Sequence, residues 1–209
     1  MTSPRAASPI ASNNPPLILA SASPRRRALL GLLGIAPDGI VSPDIDETER
    51  PGETPQALAG RLAAEKAEAV RADHPGKLIL AGDTVVAVGR RILPKTETEE
   101  EARFCLDLLS GRAHRVYSGI ALYGPGEERR TRTVETRVKV KRLSDDEIRT
   151  YIESDEWRGK AGGYAIQGLF SAHIIQIVGS FYSVVGLPVY EAAQLLAGAG
   201  LKPRTGALE

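Results

Sequence analysis

Leu17–Leu30 reads LILASASPRRRALL, and this stretch decides the kind of fold. Its first four residues are an apolar run of strand length, which predicts a buried strand. Ser23-Pro24 then opens a helix, with Ser at the cap and Pro at the first helical position, and Gly34 is the expected stop. A strand that passes straight into a helix is the start of a βα unit. It points to an α/β protein, with a mixed twisted sheet and flanking helices.

The same reading extends along the chain. Residues 1–16, rich in Ser, Pro and Asn, predict a disordered leader. Residues 37–54 read as an irregular loop with a short strand at 39–41. Thr54-Pro55 opens a helix to about Ala72, and His74-Pro75-Gly76 stops it. Leu78–Val88, LILAGDTVVAV, reads as a strand followed by a turn at Gly89-Arg90-Arg91. Residues 97–109 have helical spacing through Phe104 and Leu108, with Cys105 and Leu109 adjacent. Residues 115–123 and 134–141 alternate as an antiparallel hairpin with one solvated face. Ser144, with Glu147 three residues on, caps a helix to about Glu153. Residues 159–169 are glycine-rich. Ile174–Val178 and Phe181–Val185 read as strands, and Pro188 starts a last helix to about Leu196. The expected organisation is one domain over residues 17–201, with a flexible tail at 202–209.

Composition narrows the function. The 209 residues carry 27 Lys+Arg and 26 Asp+Glu, a net charge of +1. That balance argues against broad electrostatic binding to nucleic acid or an anionic membrane, so any anion chemistry must come from a local cluster. A single cysteine, Cys105, excludes an internal disulfide framework and is expected in the core. The three histidines lack metal-ligand spacing. No apolar run is long enough to span a membrane, and no secretory signal is evident, so a cytoplasmic protein is expected. Neither a P-loop nor a G-x-S-x-G elbow occurs.

Three places conflict with local propensity, and such conflicts mark candidate sites. Arg25, Arg26 and Arg27 crowd the first turn of a helix, where the macrodipole disfavours cations by about 0.3–1 kcal/mol each. A bound phosphate would reverse that sign, aided by the hydroxyls of Ser21 and Ser23; a solvated basic turn is the plainer reading. Lys66 falls in an apolar helical stripe beside Ala59, Leu62, Ala63 and Val70, so it either snorkels to solvent or enters a cleft. Asp83 interrupts an apolar strand. It needs a partner, a metal or an exposed strand end, and a bulge at Gly82-Asp83 is the structural alternative. Glu47, Lys95 and Gln167 are lesser candidates. Each also reads as an ordinary loop residue, although the Gln167 amide could pair with a base edge.

These residues coincide with a family pattern. In LILASASPRRRALL, DIDET, RLAAEKA, AGDTVV, LSGRAH, KAGGYAIQG and VVGLPVYE, the chain resembles the Maf family of nucleoside triphosphate pyrophosphatases over about residues 17–198. The resemblance implies a Maf/ITPase-like fold with two lobes around a central cleft. Arg25, Arg26, Asp83-Thr84 and Ile166-Gln167-Gly168 look like the dTTP/UTP type rather than the 7-methyl-GTP type. It implies that Ser21, Arg25, Arg26, Lys66 and Lys95 bind a triphosphate, and that Arg25, Thr84 and Gln167 choose the base. Glu47 and Asp83 would hold a divalent cation, Mg²⁺ or Mn²⁺, with Asp83 as proton acceptor. Where the family usually has Lys-Pro, this chain has Lys95-Thr96. A nucleoside triphosphate is the expected partner, modified pyrimidine nucleotides included, and members often form homodimers. A nucleotide- or nucleic-acid-binding regulator of septum formation, without turnover, is the alternative. The basic stretch Arg129–Arg142 reads as a solvated sheet face rather than a nucleic-acid surface.

Overall fold

The computed structural model describes residues 14–126 and 128–203. In chain order the elements are β1 (Leu17–Ala20), α1 (Pro24–Gly31), β2 (Gly39–Val41), α2 (Pro55–Arg71), β3 (Leu78–Val88), β4 (Arg91–Leu93), α3 (Glu99–Leu109), β5 (Ala113–Tyr123), β6 (Arg129–Val140), α4 (Asp145–Glu153), β7 (Ile174–Val178), α5 (Phe181–Val185) and α6 (Val189–Gly198). They form one mixed seven-stranded sheet in the order β2-β1-β3-β5-β6-β7, with β4 paired to the far end of β3. β1 is parallel to β2 and β3, and the remaining pairs are antiparallel.

The alternation of β3 distributes the core over both faces of the sheet. Ile79 and Ala81 pack with Ala63, Ala67 and Val70 of α2, while Val85 and Ala87 pack with Leu58, Ala59 and Leu62 of the same helix. On the opposite face Leu78 and Leu80 meet Leu29 and Leu30 of α1 and Leu195 and Leu196 of α6. Val86 on that face joins Ala102 and Cys105 of α3 and Ile148 and Tyr151 of α4. Leu17, Leu19, Leu30 and Leu80 are fully buried, each contributing about 2 kcal/mol by removal from water. α2 lies tight against the sheet because residue 119 of β5 is glycine: a Cβ there would stand 2.0 Å from the Ala59 carbonyl oxygen.

The cleft follows from unequal strand lengths. β1 pairs with β3 only as far as Ala20–Ala81 and then turns into α1. β4 joins β3 only from Val86 onward. Gly82 to Val85 therefore have no strand neighbour on that side, and the sheet is open there beyond the carboxyl end of a parallel strand. Ligand crevices of α/β sheets form at such places.

Several expectations need correction. Phe181–Val185 is a helix: Ser180 caps it by accepting from the Ser183 N–H, and Gly186, at φ 141, ends it. A short apolar run does not by its pattern separate a strand from a helical turn. Phe104 is exposed, and the buried face of α3 is Ala102, Cys105, Leu106 and Leu109. Arg91 belongs to β4 rather than to the turn. Of the readings open for Asp83, the bulge does not occur, since it keeps register opposite Gly119. At the edge of the expected leader, the Pro16 carbonyl accepts from the Leu78 N–H. There too, the Asn14 amide exchanges hydrogen bonds with the Lys202 backbone. The rest of the leader and the tail beyond Pro203 lie outside the described residues. Among the described residues no helix is long and apolar enough to cross a membrane.

Candidate active site

The start of α1 is left open to an anion. Ser23 flanks the helix, but its side chain makes no cap bond, and the first turn holds no acidic residue. Its leading N–H groups thus face outward together with the positive end of the dipole. The side chains of the first turn are held back across the cleft. Arg26 donates from Nε to the Gly186 carbonyl at 2.8 Å, from Nη1 to Ser21 Oγ at 2.9 Å and from Nη2 to Thr84 Oγ1 at 3.4 Å. Arg25 donates from Nε to the Val185 carbonyl at 3.3 Å. Arg26 lies over Gly82, where a Cβ would stand 3.2 Å from its Nε. Burial pulls the Arg26 guanidinium below its ordinary value, and the charge of Asp83 opposes that shift. Arg27 is exposed.

Lys66 and Asp83 explain each other. α2 delivers Lys66 from its buried stripe, and β3 delivers Asp83 from the face that packs on α2. Lys66 Nζ stands 2.6 Å from Asp83 Oδ1 and 2.6 Å from Glu47 Oε1. Glu47 Oε2 also accepts from Lys95 Nζ. Burial by itself raises the Glu47 carboxyl, but hydrogen bonds from Lys66 and Lys95 and their charge outweigh it and hold the group at about 2. The loop bearing Glu47 is fixed by Arg61 of α2, which bonds the Glu53 carboxylate from Nε and Nη2 and donates to the Thr48 carbonyl at 3.0 Å.

The far wall comes from the glycine-rich segment and α5. Thr84, on the opposite face of β3 from Asp83, lies 3.3 Å from Ser118 Oγ, which donates to the Ser183 carbonyl at 2.6 Å. Lys95 bridges to Ala161. Thr96, where proline was the family's usual residue, is fully buried and donates to the Trp157 carbonyl at 2.8 Å. The hydroxyl thus locks the Lys95 segment to the glycine-rich one. Gln167 is exposed at the rim. Behind it, Tyr164 hydrogen-bonds His114 Nε2 at 2.7 Å, and the Ala165 N–H donates to Tyr151 at 2.9 Å.

All of Ser21, Arg25, Arg26, Glu47, Lys66, Asp83, Thr84, Lys95 and Gln167 line one cleft of about 360 Å³. Sequence reading missed Lys160, Tyr164 and the Val185 and Gly186 carbonyls on its wall, as well as Arg61 behind it. Arg61 carried a signal, an Arg four residues before Glu65 on a helix; the α5 carbonyls carried none. The donor set suits a hard cation in part. Among the described residues no three His, Cys, Asp or Glu side chains group to cage an ion. Two carboxylates on one lysine nevertheless match the sparse protein ligation of Mg²⁺, which completes its shell with water and substrate phosphates.

Comparison with known proteins gives a family, its relatives and a similar fold. The chain matches the family described as Maf-like protein over residues 16–199. It is 63% identical over 189 residues to the dTTP/UTP pyrophosphatase of Maricaulis maris, covering 89% of each chain. It is 56% identical over 192 residues to the dTTP/UTP pyrophosphatase of Mesorhizobium japonicum, covering 89% of this chain and 92% of the relative. The fold resembles that of a HAM1 protein from Coxiella burnetii, with a TM-score of 0.50 at 19% identity over 87% of this chain and 98% of that one.

Proposed function

This chain belongs to the Maf family, and on that premise we propose that it is a nucleoside triphosphate pyrophosphatase acting on dTTP and UTP. It would release pyrophosphate and leave the nucleoside monophosphate. The observation that supports the reading is the cleft itself, where Arg25, Arg26, Lys66 and Lys95 surround the paired carboxylates Glu47 and Asp83. A polyphosphate satisfies those cations and the open turn of α1 together.

In the reaction a water oxygen bonds to the α-phosphorus. The bond from that phosphorus to the α–β bridging oxygen breaks, and the bridging oxygen leaves with pyrophosphate. Asp83 Oδ1 is taken by Lys66, so Oδ2 is the atom left to orient the water and take its proton. Lys66 and Lys95 are fixed before substrate arrives, so charge developing in the transition state meets cations that need no reorganisation. A divalent ion, Mg²⁺ or Mn²⁺, held by Glu47 and Asp83 with the phosphates would supply charge neutralisation and lower the pKa of bound water. Arg25, Thr84 and Gln167 would select the pyrimidine, the Gln167 amide offering both a donor and an acceptor to its edge.

A nucleotide panel with pyrophosphate detection, with and without Mg²⁺ or Mn²⁺, tests the reading. UTP, dTTP and 5-methyl-UTP should be cleaved well ahead of GTP and 7-methyl-GTP. A guanine preference overturns the base assignment. Binding of UTP without turnover under any divalent ion overturns the enzyme assignment.

A further inference from the structure

Five cations line the cleft: Arg25, Arg26, Lys66, Lys95 and Lys160. Lys66 and Lys95 are spent on carboxylates. Arg26 has donors engaged on three different oxygens. Arg25 is anchored through Nε on the Val185 carbonyl, at 3.3 Å. Lys160 is different again. Its ammonium forms no ion pair among the described residues and reaches only the Arg158 carbonyl, at 3.3 Å.

The backbone beneath Lys160 is nevertheless firmly held. Its carbonyl accepts from the Thr96 N–H at 3.2 Å and from Thr96 Oγ1 at 3.3 Å. Its N–H donates to the carbonyl of Trp157, a fully buried residue, at 3.2 Å. The neighbouring bridge between Lys95 and Ala161 places the two lysines on adjacent segments. Half-buried there, Lys160 has its ammonium pushed below the ordinary value first by burial and then by the charge of Arg25, with the Glu156 carboxylate opposing the shift without forming an ion pair.

We propose that Lys160 seats the terminal phosphates of the substrate and then the departing pyrophosphate. The assignment rests on the pyrophosphatase reading above. The cleft divides by charge: five cations less the carboxylates Glu47 and Asp83 leave three positive charges, and those without a carboxylate partner are Arg25, Arg26 and Lys160. The carboxylate side handles the reacting phosphorus and its water. The side whose cations form no ion pair suits the negative charge carried away by the leaving group, beyond the charge that Lys66 and Lys95 meet at the reacting phosphorus. An ammonium is a compact donor-only cation with three N–H groups, suited to the several oxygens of a terminal phosphate.

The test compares wild type, Lys160→Met and Lys160→Arg, with melting to verify folding and calorimetric binding of inorganic pyrophosphate and of UMP. Lys160→Met should weaken pyrophosphate by about 10- to 100-fold, as for loss of one charged hydrogen bond. UMP binding should stay unchanged, and Lys160→Arg should recover most of the pyrophosphate affinity. Unchanged pyrophosphate binding in Lys160→Met overturns the proposal, and so does an equal loss for UMP. UTP turnover by the wild type separates the two readings. If the wild type cleaves no triphosphate yet binds pyrophosphate through Lys160, the pyrophosphatase reading falls and the seat stands. If it cleaves UTP and Lys160→Met binds pyrophosphate as wild type does, the seat alone falls.

Discussion

Lys66 Nζ lies 2.6 Å from Asp83 Oδ1, joining the middle of α2 to the middle of β3 through a pair that is almost wholly buried. Each residue is costly alone. An ammonium in an Ala-rich stripe and a carboxylate in a central strand would both leave an unpaired charge away from water. Together they form the floor of the cleft, and the same contact that makes them tolerable holds the Asp83 carboxylate next to the open strand edge.

Breaking the pair from the lysine side should cost stability. Lys66→Met leaves Asp83 charged and unpaired, at about 3–5 kcal/mol. The double change Lys66→Met with Asp83→Leu should recover much of that loss. Denaturant unfolding of both variants checks this, and an additive double mutant would remove the coupling.

Asp83→Asn keeps the shape and the hydrogen bond to Lys66 but cannot take a proton. Turnover of UTP should fall by about 10²–10⁴-fold, while the affinity for pyrophosphate holds. Pyrophosphate release at the wild-type rate would remove Asp83 from the proton-accepting role.

Arg61 lies outside the lining of the cleft and positions the loop that carries Glu47 through Glu53 and the Thr48 carbonyl. Arg61→Ala should lower kcat for UTP by about 10-fold with a smaller change in KM, because misplacement of a reacting group costs rate. Arg61→Lys should restore part of it. An equal fall in kcat and melting temperature under stabilising conditions would mark the residue as merely structural.

His114 sets a pH dependence of stability. Burial pushes its imidazole from 6.5 down to about 4, so the folded protein keeps it neutral where the unfolded chain binds a proton. Unfolding free energy should therefore fall as pH drops from 6.5 toward 4 and flatten below. For this group the loss between pH 7 and pH 5 is about 2 kcal/mol. Denaturant titrations of wild type and His114→Phe at the two values read it directly, and an unchanged slope in the variant would assign the loss elsewhere.

Much of the fold is legible from local pattern. β1, β2, β3 and β7 and the starts of α2 and α4 lie where apolar runs, Thr54-Pro55 and the Ser144–Glu147 box place them. Local rules fail for the Phe181–Val185 helix, since so short a run fits either period, and for the outward turn of Phe104, since only packing tells which side of α3 meets the sheet.

The sequence by itself determined that cations and an acid stood where local propensity disfavours them, because helix dipoles and strand burial act over a few residues and leave their mark in the order of residue types. Only the tertiary structure decided that they share one hollow. That depends on β1 ending before β3 does, on Gly119 letting α2 approach the sheet, and on carbonyls of Val185 and Gly186 reaching back to Arg25 and Arg26 from 160 residues away. No short-range preference encodes such distances; they come from how the whole chain closes on its core.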